Sequence, residues 1–114
     1  MLATIDDTQT ARLQKMPLVK TRGYVDGTWR SASSSFVVTD PATGHDIARV
    51  HAMDDKMAEA AVSAAQNAFG AWSGLLPQQR ALVVREWHAK IIEHREELAQ
   101  IMVAEQGKPI SEAR

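Results

Sequence analysis

Apolar positions along this chain follow two different rhythms, and the change comes near residue 54. Between residues 21 and 51 they alternate with polar ones or form short β-branched runs, separated by turn residues. Tyr24-Val25-Asp26-Gly27-Thr28-Trp29 predicts strand, tight turn and strand, because Asp-Gly supplies the left-handed conformations that a two-residue hairpin loop requires. Phe36-Val37-Val38-Thr39 predicts another strand. The turn Asp40-Pro41-Ala42-Thr43-Gly44 then leads into Ile47-Ala48-Arg49-Val50-His51, whose alternation suits a strand with one buried face. Residues 31–35 are small and polar and predict a loop. The expectation is a small antiparallel meander, which would be marginal without something to pack against.

Beyond residue 54 the spacing becomes three and four. Asp54 or Asp55 can cap a helix with apolar positions at Met57, Ala60, Ala61, Ala64, Ala65, Ala68 and Phe69. That face is nearly all alanine and would admit close approach of another helix or a sheet. Gly70 is expected to end this helix or loosen its last turn, with Trp72 as an anchor beyond it. Pro77 opens the next run, in which Leu82, Val83, Trp87, Ile91, Leu98, Ile101 and Met102 keep helical spacing to about Glu105. Residues 77–106 make a longer stretch than most globular helices, so a break or bend is expected within Glu93-His94-Arg95-Glu96-Glu97. Gly107 then provides a left-handed helix exit, and Pro109 starts a further helix with Glu112 near its positive end. An element begun so late predicts that the chain is the front of something longer. Residues 1–20 read as a polar lead, in which 6–16 are expected to form a short helix ended by Pro17.

Composition narrows the function classes. The 114 residues are 45% apolar, the mass of one small domain, with 13 Lys and Arg against 14 Asp and Glu. No basic stripe points to nucleic acid or a membrane surface. No run of 18 apolar residues predicts a membrane span, and the first twenty residues lack the apolar centre of a signal peptide; a cytoplasmic protein is expected. Cysteine is absent, which excludes disulfides, thiolate metal ligands and a thiol nucleophile within these residues.

Candidate chemistry is sparse. His88 and His94 are six residues apart and fall on different helix faces, and no HExxH, CxxC or nucleophile elbow is present. The glycines are scattered and form neither GxGxxG nor a P-loop. Trp29, Trp72 and Trp87 have no interleaved basic residues and read as packing anchors. From residue chemistry alone the stretch shows no active site.

The order of its segments is informative in a different way. Tyr24-Val25-Asp26-Gly27-Thr28-Trp29, Thr39-Asp40-Pro41-Ala42-Thr43-Gly44, Ala68-Phe69-Gly70-Ala71-Trp72, Gln79-Arg80-Ala81-Leu82, Glu96-Glu97-Leu98-Ala99 and Glu105-Gln106-Gly107-Lys108-Pro109 follow one another at set spacings. From about Gly23 to Arg114 this resembles the N-terminal quarter of the NAD(P)-dependent aldehyde dehydrogenases. The segment from Glu105 to Pro109, followed by Glu112-Ala113, looks most like the succinate-semialdehyde dehydrogenase branch. The resemblance implies an α/β protein with a Rossmann-type cofactor domain. The stretch alone would be α+β: a small antiparallel β meander followed by two or three helices. Residues 1–20 would be a lead, and 21–114 the N-terminal part of the cofactor-binding domain, truncated.

In that family a cysteine thiolate attacks the aldehyde carbonyl, hydride passes to NAD or NADP, and a glutamate activates water. Those residues and the dinucleotide loops come later in the family, so no catalytic or cofactor-binding residue is assigned within 1–114. The chain alone is expected to be inactive and to bind no dinucleotide. The complete enzyme is expected to be a homo-oligomer oxidising succinate semialdehyde to succinate, with no nucleic-acid or membrane partner. Many members also hold a structural monovalent cation; the matching positions are the carbonyls of Val38 and Thr39 and the carboxylate of Glu105, all hard oxygen donors. The alternative from a different class is a small, non-enzymatic helical interaction module.

Overall fold

The computed structural model describes residues 7–114. Nine elements follow in order: α1 (Asp7–Gln14), β1 (Gly23–Val25), β2 (Thr28–Arg30), β3 (Ser34–Thr39), β4 (Asp46–Ala52), α2 (Asp55–Ser73), α3 (Pro77–Glu93), α4 (Arg95–Gln106) and α5 (Ile110–Ala113). The stretch is α+β, and residue 6 of the expected first helix lies outside the described residues.

The strands form two antiparallel hairpins, β1–β2 and β3–β4, each with its own ladder. In the first, Asp26 and Gly27 both have positive φ, 49° and 73°, as a tight hairpin turn demands. This sets Tyr24 opposite Trp29 with ring centroids 5.0 Å apart. In the second, β3 begins at Ser34, so Ser34 and Ser35 belong to the strand rather than to the polar loop. The Asp40 turn is held by its own side chain, whose Oδ1 accepts from the Ala42 N–H at 2.7 Å. The expected meander is thereby divided between residues 30 and 34. The backbone of Ala32, which could have carried a ladder onward, is taken up by the His51 ring.

The strand β4 also departs from strict alternation. Val38 pairs with Ala48 but Thr39 pairs with Asp46, so the register slips and Ile47 is the extra residue. Such a bulge lets two neighbouring side chains face the same interior. Ile47 is buried and Ala48 half-buried, where simple alternation would put one of them outside.

Ile47 lies at the centre of the core. Leu13 of α1, Ile47 and Ala104 of α4 are buried together, with Met16, Val38, Ala48 and Ile101 packed against them. Gln14 Nε2 donates to the Ile47 carbonyl at 3.1 Å, fixing α1 to β4, and the Leu18 N–H donates to Glu97 Oε1 at 3.2 Å.

Helices α2 and α3 are different. Asp54 caps α2, its Oδ1 accepting from the Met57 N–H at 2.9 Å. The helix runs through Gly70 to Ser73; a helical glycine is unfavourable by only about 1 kcal/mol, and the Ala and aromatic residues around it continue the turn. Pro77 is the first residue of α3, and the Leu76 N–H donates to Gln79 Oε1 at 2.8 Å. Arg80 donates to the carbonyls of Ser73 and Leu75, satisfying acceptors left free at the end of α2. The break expected in the charged patch falls at His94, which ends α3 and precedes α4. No residue of α2 or α3 is buried. Of the alanine face, Met57, Ala61 and Ala64 are half-buried, Met57 and Ala64 beside the first hairpin, while Ala60, Ala65, Ala68 and Phe69 are exposed. The chain exposes 8924 Å², where a compact monomer of its size would expose about 6,200 Å².

Candidate functional site

The three residues singled out as cation donors come from two elements, and local structure brings those elements to one corner. Val38 packs against the Leu13, Ile47 and Ala104 cluster, and Glu105 follows Ala104 directly. Thr39 sits at the irregular step of the ladder. Gly107 has φ 69°, and a Cβ added there would stand 3.0 Å from Pro41 Cγ. The exit of α4 thus lies close against the turn that follows Thr39, where an added side chain would crowd Pro41.

Glu105 also borders a cavity of about 170 Å³ shared with Leu13, Leu18, Val19, Lys20, Ile47 and Ala104 among others. The walls are apolar apart from Glu105 and Lys20. Lys20 was not a candidate in the sequence; a lone cation in a polar lead gives no signal. Its ammonium lies 5.7 Å from the Trp29 ring centroid, within the range of a cation–π contact.

No other constellation converges. Among the described residues no three His, Cys, Asp or Glu side chains gather where a metal could be held. His45 and His88 are exposed, and His94 Nδ1 is 3.9 Å from Glu97 Oε2 at the α3–α4 junction. Among the described residues, the His51 imidazole is the one that bridges separate segments of backbone.

The N-termini of α2 and α3 are poorly suited to a dinucleotide's phosphates. Such a site needs a glycine-rich turn from a strand into a helix whose N–H groups are free. The turn from β4 into α2 is Met53-Asp54, and the Asp54 carboxylate already occupies an N-terminal amide. A phosphate there would meet a like charge. At α3, Pro77 has no N–H to offer and Gln79 serves the amide of Leu76. No helix among the described residues is long and apolar enough to cross a membrane.

Comparison with known proteins identifies what this scaffold belongs to. The profile of the "Aldehyde dehydrogenase family" matches residues 29–114. A 3-sulfolactaldehyde dehydrogenase of Pseudomonas putida is 43% identical over 103 residues, covering 89% of this chain and 21% of the relative. The mitochondrial succinate-semialdehyde dehydrogenase of Oryza sativa is 41% identical over 98 residues, covering 84% and 19%. Among solved structures, succinate-semialdehyde dehydrogenase of Burkholderia pseudomallei superimposes with a TM-score of 0.82 at 36% identity, covering 87% of this chain and 21% of that one. Betaine aldehyde dehydrogenase of Staphylococcus aureus, in complex with NAD+, gives 0.83 at 29%, covering 92% and 22%. The chain spans about a fifth of the length of the relatives it matches. By sequence and by fold, it belongs to the aldehyde dehydrogenase family.

Proposed function

We propose that this chain is the N-terminal scaffold of an NAD(P)-dependent aldehyde dehydrogenase that oxidises succinate semialdehyde or a close analogue. Residues 1–20 are its lead, and 21–114 the first part of its cofactor domain. The observation that carries the reading is the ordered match to about a fifth of each relative. The Asp54 carboxylate at the start of α2 and Pro77 at the start of α3 suit structural helices. The work of this segment is to position rather than to react, and the chain alone is inactive. The complete enzyme is a cytoplasmic homo-oligomer.

The names of the relatives narrow the substrate. Sulfolactaldehyde and succinate semialdehyde are both small aldehydes with an anionic group at the far end. That shared chemistry, rather than a neutral aldehyde, is the class assigned here. A helical interaction module would account for the exposed α2–α3 surface, but not for the motif order.

The test is to assay the purified 114-residue chain, alone and co-expressed with a polypeptide supplying the remainder of a succinate-semialdehyde relative. The chain alone should reduce neither NAD nor NADP with succinate semialdehyde. The combination should do so, and should prefer that substrate to a neutral aldehyde of equal length. Turnover by the chain alone would overturn the reading.

The carbonyls of Val38 and Thr39 with the carboxylate of Glu105 are proposed as part of a monovalent cation site in the complete enzyme. Potassium or sodium should raise its melting temperature, and Glu105→Gln should abolish that rise. An unchanged melting temperature across the titration removes the site.

A further inference from the structure

The two hairpins share no ladder, yet one residue joins them. His51 lies on β4 opposite Ser35 of β3. Its backbone N–H donates to the Thr21 carbonyl at 2.8 Å, two residues before β1. Its ring Nδ1 lies 3.0 Å from the Ala32 nitrogen, which donates to it, and 2.9 Å from the Ala32 carbonyl oxygen. Ala32 sits in the link from β2 to β3. The same residue therefore holds the chain entering the first hairpin and the chain leaving it. Both His51 and Ala32 are half-buried, so water does not fully replace these bonds.

One ring nitrogen cannot serve both atoms of Ala32 at once. In the neutral ring with its hydrogen on Nε2, the Nδ1 lone pair accepts the Ala32 N–H. In the cation, Nδ1–H donates to the Ala32 carbonyl. We infer that His51 is the joint seating hairpin β1–β2 on hairpin β3–β4, and that protonating its ring exchanges its partner on Ala32 without releasing the hairpin. The neighbouring elements bring few charges to it. Ser34 and Ser35 lie across on β3; Arg22 follows Thr21, Arg30 ends β2, and Arg49 is two residues back on β4. Among the described residues no carboxylate oxygen lies within 4 Å of its ring nitrogens.

Amide exchange followed by NMR across the histidine titration, in the 114-residue chain, tests this directly. With the ring neutral, the Ala32 amide should be protected and nitrogen shifts should place the ring hydrogen on Nε2. On protonation the Ala32 amide should lose about fivefold in protection, the equivalent of one hydrogen bond of about 1 kcal/mol. Proximity signals between Gly23 and Met53 should persist, because their close approach depends on the hairpin staying seated. His51→Phe should lose the protection at every pH together with the Gly23–Met53 signals, while the β3–β4 amides stay protected; His51→Gln should restore part of both. Unchanged Ala32 exchange in His51→Phe, a neutral ring carrying its hydrogen on Nδ1, or a ring with random-coil shifts would each overturn the inference.

Discussion

One end of this molecule is knotted together and the other is laid open. In the corner formed by α1, β3–β4 and α4, small and branched residues close on one another, and even the helix exit is in contact with a turn 66 residues earlier. In α2 and α3 the sequence is just as apolar, yet Val62, Phe69, Trp72, Leu82, Val83, Val84, Trp87 and Ile91 are all exposed. An apolar patch of that extent on a helix face marks a surface made to be covered. Amphipathic spacing creates a helix without creating a core. A core also requires a second element brought up closely against the first, and among the described residues the buried side chains Leu13, Ile47, Ala99 and Ala104 all belong to elements of the corner.

Truncating one large side chain in each region should separate the two most clearly. Ile47→Ala should destabilise the chain by about 2–4 kcal/mol, since it leaves a cavity at the centre of the cluster. Trp87→Ala should change stability by no more than about 0.5 kcal/mol, as expected of an exposed position. Urea unfolding measures both, and equal losses would erase the distinction. A smaller effect belongs to the helix exit. Gly107→Ala should cost about 1–2 kcal/mol for its left-handed backbone, plus the contact with Pro41. Gly44→Ala has a similar φ of 74° with nothing within 4 Å and should show the backbone part alone, so the excess at Gly107 measures the closeness of the corner.

On the open side, Asp54→Ala should weaken α2 by about 1 kcal/mol through its lost cap. Amide exchange at residues 55–58 should quicken while Leu13 and Ile47 keep their protection. The smallest effect is electrostatic. Lys90 Nζ is 2.7 Å from Glu93 Oε2; first by hydrogen bonding and then by charge, it holds the Glu93 carboxyl below the usual carboxylate value. A depressed carboxylate supports the fold above its unfolded value, and that support fades as pH falls through its folded one. The last turn of α3 should therefore fray slightly in mild acid, and added salt should mask the change. Glu93→Gln should remove the pH dependence of that turn.

Much of this layout was legible because local chemistry decides it. Asp26-Gly27 dictates its own turn, Asp54 its own cap, and Gly107 its own helix exit; the break at His94 falls within a patch no apolar stripe could cross. What the spacing did not reveal depended on partners distant in sequence. The slip at Ile47 exists because Ala104 and Leu13 cover both it and its neighbour. The division of the meander follows from where the His51 ring meets Ala32. Gly70 shows a further limit, since a helix breaker between good helix formers is simply carried along. At the corner, the Gly107 and Pro41 motifs could each be recognised separately, but their contact with each other could not.

That contact has a consequence for how the protein is made. A ribosome adding about 5–20 residues per second reaches Ala104 some 3–11 seconds after it has passed Ile47. Throughout that interval the apolar side of β4 has only α1 over it, and neither hairpin is long enough to stand by itself. The nascent chain must therefore wait, and chaperones that shield apolar segments have a defined window in which to act, closing when Gly107 turns the last helix back against Pro41.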